Sequence, residues 1–384
     1  MDFMFSPEQE MLKEALARYL RENYSFEERR TRLARHGHDA KLWGELATGL
    51  GILGATLPVE VGGLGGSAVD TMIIQECLGE ALVTEPFLEA VILCGGILRR
   101  TDNPRATALL QEIADGTAMV AFAASEPRTR HDLSQIGFTA RVGDGGWRLS
   151  GDKIVVVGAA HATHLIIAGR TSGSPGDEQG LSLFLAARPD ADIIEHSYRL
   201  IDERRAADLT FNDLWLPGDA LLGTEGEAWP LIQQAQDEAI AALCAETVGI
   251  LRRMLADTVD YCRQRKQFGQ PLAAFQALQH RMVDMFIRVE EASAASLLAT
   301  LRLDADPLTR TLAASAAKAT IAQAARFVGQ NAVQLHGAMG LTEELAVGHY
   351  FKRATVIEGQ FGSSDYHLAR YARLSRDRSA VPVS

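Results

Sequence analysis

Apolar residues recur at helical spacing through the first 115 residues of the chain. The segment Ser6-Pro7-Glu8-Gln9 combines an N-cap serine, a first-turn proline and a capping-box glutamine, and apolar side chains follow it every three or four positions. Further helical stretches cover 69–82 and 86–98, beyond a Gly-rich break at 58–66. This pattern predicts an all-helical N-terminal domain over residues 1–115.

Short apolar runs separated by turn residues replace the helical period after residue 115. The Gly-Asp-Gly-Gly segment at 143–146 lies between two of them and is a hairpin signal. Because no helical stretches separate the runs, the pattern favours a small barrel or sandwich over a βαβ sheet. We therefore predict a middle β-barrel domain over residues 116–223. The runs lie at 119–124, 138–142, 147–149, 154–157, 165–168, 181–185 and 209–211.

The helical period returns near residue 226 and continues to near residue 376. Breaks at 269–271, 306–307 and 337–340 divide it into long helices joined by short loops, which is typical of an antiparallel bundle. Residues 224–384 are therefore predicted to form a C-terminal helical bundle.

Composition and charge narrow the class of protein. The 384 residues, 47% hydrophobic and 23% charged, suit a globular chain with more than one core. A net charge of −11 argues against a nucleic-acid or anionic-membrane surface, and no apolar stretch reaches the ~20 residues of a membrane span. The four cysteines form no C-x-x-C pair, so we expect buried free thiols and a cytoplasmic location.

Two blocks in the last third of the chain carry the candidate chemistry. In the first, Arg265-Lys266-Gln267-Phe268-Gly269-Gln270-Pro271 is followed by Gln276 and Gln279. Cations at a helix end can simply complement the helix dipole, but a guanidinium fork also suits a pyrophosphate. The second block, Gln334-Leu335-His336-Gly337-Ala338-Met339-Gly340, is either a helix C-cap with a turn or a set of backbone amides open to a phosphate or ribose.

Glu358 is the candidate base. It follows Thr355-Val356-Ile357 and precedes a glycine, and a carboxylate in such an apolar setting would have the raised pKa that a general base needs. The alternative is an exposed glutamate at a helix end. Other chemistry has weak support, because His161 and His164 lack the further ligands of a metal site and no G-x-S-x-G is present. We predict no metal.

With these residues assembled, the chain resembles the acyl-CoA dehydrogenase family over essentially its whole length. The two blocks are similar to the family's most specific signatures, and 58–66 and Ser125-Glu126-Pro127 are similar to weaker ones. The resemblance implies an α+β fold with an N-terminal helical domain, a middle β-barrel and a C-terminal four-helix bundle. It also implies FAD at a subunit interface. Its implied cofactor contacts are Arg265, Phe268, Gln276, Gln334, Gly337, Ala338, Ser125, Val155 and Val157.

The implied reaction is the α,β-dehydrogenation of an acyl-CoA thioester to a trans-2-enoyl-CoA. Glu358 falls where the commonest members carry the base that removes the α-proton, and Asp237 and Gly359 are expected beside the substrate. The flavin accepts a hydride, and an electron-transfer flavoprotein or similar acceptor reoxidises it. The resemblance also implies a homo- or hetero-oligomer, such as a dimer of dimers, in acyl-CoA catabolism.

The chain departs from the family's usual pattern in several places. Ile240 stands where an arginine usually follows Asp237, and the segment after Gly359 differs. Val155 and Val157 replace a tryptophan and a hydroxyl residue. These changes resemble the small subunit of bacterial two-subunit, pimeloyl-CoA-type enzymes. The alternatives are a self-sufficient dehydrogenase, a weakly active or inactive partner subunit, and a flavin monooxygenase or nitroalkane oxidase, which would need an aspartate as its base.

Overall fold

Helices form most of the molecule, in two groups that are separated along the chain by strands. The computed structural model describes residues 5–35 and 38–380. Two π-helical segments, Glu45–Gly49 and Leu88–Cys94, and several short 3₁₀ turns supplement the α-helices. The α-helices are α1 (Pro7–Asn23), α2 (Phe26–Arg35), α3 (Ala40–Gly44), α4 (Ala68–Glu80), α5 (Gly95–Leu98), α6 (Pro104–Ala114), α7 (Trp229–Gln264), α8 (Gln276–Leu301), α9 (Pro307–His336), α10 (Ala346–Gly359) and α11 (Ser364–Ala380).

Side-chain caps set the start of several of these helices, α1 and α9 among them. The Ser6 hydroxyl accepts from the backbone N–H of Gln9, and the Gln9 side chain accepts from the backbone N–H of Ser6. This confirms the predicted capping box. Asp306 likewise accepts from the N–H of Thr309, with Pro307 in the first turn of α9.

The described strands form one eight-stranded sheet and a separate two-stranded hairpin. The sheet order is β6-β7-β3-β2-β4-β5-β8, and β1 pairs in parallel with β4. Asp144 and Gly145 join β2 to β3 at φ of 53° and 75°, which confirms the predicted hairpin. The strands are β1 (Val120–Ala123), β2 (Thr139–Gly143), β3 (Gly146–Val157), β4 (His164–Arg170), β5 (Leu181–Ala187), β6 (Ile193–Arg199), β7 (Arg205–Pro217), β8 (Leu221–Leu222), β9 (Lys266–Gln267) and β10 (Gln270–Pro271).

The chain divides into two compact units. The first contains the residues up to Thr31, then 68–83 and those from Ile240 onward, and its described elements are helices apart from the β9–β10 hairpin. The second contains 32–67 and 84–239, with the eight-stranded sheet. The N-terminal helices are thus shared between the units. The three predicted domains with boundaries at residues 115 and 223 remain a prediction.

Two glycines allow close helix packing in the first unit. A Cβ on Gly79 of α4 would lie 2.1 Å from the Glu246 carbonyl oxygen of α7, and one on Gly249 would lie 2.0 Å from the Glu76 carbonyl oxygen. No side chain fits at either position. In the same unit the alanine-rich α9 packs against α8, α10 and α11, and most of its length is buried.

The structure also tests three expectations from the sequence, which concern the cysteines, membrane-spanning helices and metal ligands. Cys77, Cys94, Cys244 and Cys262 are buried and free, as predicted. None of the helices in the described part of the chain is long and apolar enough to cross a membrane. Within residues 5–35 and 38–380, no three or more His, Cys, Asp or Glu side chains are grouped so that they could hold a metal ion.

Candidate active site

The predicted base, Glu358, lies at the C-terminal end of α10 with its side chain 23% exposed. Arg326 of α9 contacts both carboxylate oxygens, because its Nε donates to Oε2 at 3.2 Å and its Nη2 donates to Oε1. The prediction that this carboxylate lies in an apolar setting is therefore wrong, because a guanidinium group contacts it. Arg326 is 32 residues away in the sequence, and no local pattern marks it as a partner.

A buried lysine holds the main chain around Glu358. The Lys318 side chain of α9 is fully buried, and its Nζ donates to the carbonyl oxygen of Glu358 at 3.1 Å and to that of Gly362 at 2.8 Å. Burial lowers the pKa of Lys318 to about 8. Lys318 was not predicted from the sequence, although a single lysine inside an alanine-rich apolar stretch is a usable signal.

An ion pair lies beneath the same turn. Arg353 of α10 binds Glu246 of α7 through two hydrogen bonds of 2.7 and 2.8 Å, with both side chains 4% exposed. The Nη1 of Arg353 also donates to the Gln360 side-chain oxygen at 3.2 Å. The His367 ring contacts the Phe361 carbonyl oxygen at 3.0 Å. Buried polar groups therefore hold the turn on several sides.

The first predicted cofactor block forms an exposed hairpin. β9 and β10 pair through Gln267 and Gln270, and Phe268 and Gly269 form the tip at φ of 54° and 80°. Phe268 is 91% exposed. Arg265 is also exposed and makes no ion pair with any residue that the structure describes, and Gln276 opens α8 with an exposed side chain. The block thus presents a guanidinium, an amide and an aromatic ring to solvent.

The second block terminates α9 beside the first. Gly337 ends the helix at a φ of 61°, and Gln334, Gly337 and Ala338 are exposed. His336 is buried and stacks on Tyr261, with ring centroids 4.4 Å apart, and its Nδ1 contacts the Ala332 carbonyl oxygen at 2.8 Å. This contact brings the end of α7, which precedes Arg265, against the end of α9. His336 is a structural residue.

The predicted flavin segments of the second unit also lie side by side. The backbone N–H of Ile154 donates to the Ser125 carbonyl oxygen at 2.9 Å. Val155 is exposed and adopts a φ of 52°, which is unusual for a β-branched residue. Its N–H donates to Asp208 at 2.9 Å, in a bulge of β3 against β7. Such local strain is typical of functional sites. Val157 ends this segment and is partly buried.

A second buried lysine ties these two segments together. Lys153 of β3 donates to the Ala124 carbonyl oxygen at 3.1 Å and to Glu126 at 2.7 Å, and its side chain is fully buried. Glu126 also accepts from the N–H groups of Gly137 and Phe138. Burial lowers the pKa of Lys153 to about 8, although Glu126 acts in the opposite direction.

The predicted substrate residues lie in different surroundings. Asp237 of α7 is fully buried in the second unit, and its neighbour Glu238 binds Arg99 at 2.9 Å and also binds Arg100. Gly359 is exposed, and a Cβ there would meet no atom within 4 Å. The pairing of Glu238 with two arginines was not predicted from the sequence. Direct contact of Asp237 or Gly359 with a substrate remains a prediction.

Family models match most of the chain. The models of the acyl-CoA dehydrogenase N-terminal and C-terminal domains match residues 6–117 and 226–375. Acyl-CoA dehydrogenase FadE12 of Mycobacterium tuberculosis is 29% identical over 384 residues, covering 98% of this chain and 94% of FadE12.

Solved structures extend the comparison. Butyryl-CoA dehydrogenase from Megasphaera elsdenii has a TM-score of 0.89 at 25% identity, covering 98% of this chain and all of that one. A variant of the steroid ACAD Tcur3481-Tcur3483 has a TM-score of 0.87 at 26% identity, covering 97% and 99%. The chain belongs to the acyl-CoA dehydrogenase family, whose named members are oxidoreductases acting on CH–CH groups. The predicted order of helical, sheet and helical regions is confirmed.

Proposed function

We propose that this chain is an FAD-dependent acyl-CoA dehydrogenase that converts an acyl-CoA thioester to a trans-2-enoyl-CoA, with Glu358 as the base. The observation that carries the proposal is a carboxylate at the end of α10, on a turn held by Lys318, in a chain of this family. FAD, when bound, supplies the acceptor for the hydride. An electron-transfer flavoprotein or similar protein is the proposed final electron acceptor.

The residues of the two C-terminal blocks fit an FAD molecule. Arg265 is an exposed guanidinium without an ion pair among the described residues, and Gln276 and Gln334 are exposed amides. Guanidinium forks and amides suit a pyrophosphate and a ribose. The exposed Phe268 offers a planar apolar surface. In the second unit, Ser125 and Val155 are the proposed neighbours of the isoalloxazine ring, while Val157 lacks a hydroxyl that could bond to it.

The proton step requires movement of one ion pair. Glu358 takes the α-proton at a carboxylate oxygen, but Arg326 engages both oxygens. Since Arg326 is 61% exposed, its pairing is weak and can open when the thioester binds. Gly359, next to the base, leaves open space for the thioester. The buried Lys318 keeps the Glu358 main chain in place during this exchange.

Replacing Glu358 with glutamine tests the assignment of the base. Glu358→Gln keeps the shape and removes the proton acceptor, so we expect turnover with the best acyl-CoA to fall about a thousandfold while FAD remains bound. The matched control is Glu343→Gln, because Glu343 is an exposed glutamate that pairs with Lys352. Near-normal turnover by Glu358→Gln would show that another group is the base.

A second candidate is a partner subunit with little activity of its own. The bidentate pairing of Glu358 with Arg326 favours it, as does Ile240 in place of an arginine. The similar steroid ACAD is named for two components, Tcur3481 and Tcur3483. Co-purification of this chain with a second, homologous chain, and turnover only in that complex, would support this candidate over a self-sufficient enzyme.

A further inference from the structure

The burial of Lys318 is unfavourable for the folding free energy. Its ammonium is fully buried, and none of the carboxylates in the described residues lies within ion-pair distance of it. Among the described residues, its Nζ hydrogen-bonds only to carbonyl oxygens. Burying a charge without a counterion costs folding free energy. An apolar side chain would avoid that cost but would leave both carbonyl oxygens without this donor, so what the lysine adds at this position is its hold on two main-chain groups.

The two carbonyl groups that Lys318 binds define a turn. The Glu358 carbonyl belongs to the last turn of α10, where helix carbonyls lack partners within the helix. The Gly362 carbonyl lies just before α11, at a glycine with φ of 122°. A single ammonium therefore closes residues 358–362 into a fixed loop between two helices. We call these residues the base turn.

Two cations from one helix hold the two ends of Glu358. Lys318 fixes its main chain, and Arg326, eight residues along α9, contacts its carboxylate. The two contacts differ in strength. Lys318 is fully buried, whereas the side chain of Arg326 is 61% exposed and open to competition from water and ligands. The main chain of Glu358 is therefore held more firmly than its carboxylate.

We propose that Lys318 is a positioning residue for the reaction: it keeps the base turn fixed, so that the Glu358 carboxylate can exchange Arg326 for the substrate without displacement of its main chain. This proposal rests on the proposed role of Glu358. It predicts that loss of Lys318 harms catalysis more than stability, because displacement of a catalytic group by about 1 Å can cost 10² in rate.

The test compares Lys318→Met with Lys352→Met in the full-length holoenzyme. Lys352 is a lysine on α10 that pairs with the exposed Glu343, so it is a matched control outside the base turn. For Lys318→Met we expect bound FAD, a melting temperature within about 3 °C of wild type, and a kcat lowered at least about tenfold with KM changed by less than about threefold. Lys352→Met should match wild type in all of these.

Amide hydrogen exchange gives a readout that does not depend on turnover. In Lys318→Met the amides of 359–363 should exchange at least about tenfold faster, while other helices of the unit are unchanged. Unchanged exchange, or an unchanged kcat in an active enzyme, would overturn the proposal. If wild type shows no turnover, the proposed function fails, and the exchange result alone decides whether Lys318 fixes the turn. Lys318→Gln, whose shorter side chain cannot bond to both carbonyl oxygens, replaces Lys318→Met if the latter does not fold, with the same criteria.

Discussion

Single glycines decide whether α4 and α7 can pack together. Gly79 and Gly249 face the other helix's main chain at distances that no Cβ tolerates. Such sites depend on a tertiary contact between residues far apart in the sequence. A glycine inside a helical pattern indicates close approach only in general, so the sequence alone did not single out these two.

We predict that Gly79→Ala or Gly249→Ala destabilises the protein by about 2–4 kcal/mol, because the added methyl group would overlap a carbonyl oxygen. The measurement is the free energy of unfolding in urea. Gly44→Ala is the control, since Gly44 has a helical φ of −62° and open space around its Cβ position. It should be neutral or stabilising by about 0.5 kcal/mol. Equal effects for the three variants would contradict the packing argument.

Arg265 is the residue on which the cofactor proposal depends most. We expect Arg265→Gln to weaken FAD binding about tenfold or more, because a charge-assisted bidentate contact to the pyrophosphate would be lost. The measurement is a titration of the apoprotein with FAD, followed by flavin fluorescence. Arg263→Gln is the control, since Arg263 is exposed and pairs with Asp260 at 3.5 Å. Equal FAD affinity for Arg265→Gln and wild type would remove Arg265 from the site.

At the scale of elements, strong local sequence patterns were sufficient to predict most helices and strands. The capping box predicted the start of α1, the glycine-rich turn predicted the β2–β3 hairpin, and the apolar runs predicted most strands. β6 was missed because its sequence, Ile-Ile-Glu-His-Ser-Tyr-Arg, is largely polar and one face is exposed. β8 was missed because it has only two residues. Neither segment has a pattern distinct from a loop.

Only those parts of the candidate site that are contiguous in sequence could be predicted from it. Its glycine and arginine blocks are contiguous in sequence, so their type and spacing could be recognised. The contacts of Glu358 with Arg326 and Lys318, and the Arg353–Glu246 pair, join separate helices. Such contacts depend on how the helices pack, and no spacing rule within one sequence determines them.

A buried lysine of β3, Lys153, binds the carbonyl oxygen of Ala124 just after β1, and its burial has a consequence for stability. Lys153 has a pKa of about 8 in the folded protein, below its ordinary value of 10.5, because it is buried. Between these pH values the unfolded chain binds more protons than the folded one. The contribution of Lys153 to stability therefore increases as pH rises through this window.

We predict that wild type gains about 1 kcal/mol of unfolding free energy relative to Lys153→Met between pH 8 and pH 9. The comparison with the variant removes the contributions of other titrating groups. The measurement is urea unfolding of both proteins at each pH. A constant difference between wild type and variant would mean that Lys153 keeps an ordinary pKa in the folded protein.

For the whole molecule, the central claim is that this chain binds FAD and dehydrogenates an acyl-CoA. Family membership supports the reaction class. The pairing of Glu358 with Arg326 and the buried Ile240 favour the alternative, in which turnover requires a second chain. A direct optical measurement on the isolated chain addresses both the cofactor and the reaction.

That measurement is the visible absorption spectrum of the chain expressed alone, before and after anaerobic addition of acyl-CoAs of differing length. We predict a bound flavin that bleaches within one turnover, and the acyl-CoA that bleaches it fastest would identify the substrate class. A colourless protein, or a flavin that no acyl-CoA reduces, would contradict the claim of a self-sufficient dehydrogenase. The same measurement on its co-purified partner complex would then decide whether a second chain supplies the reaction.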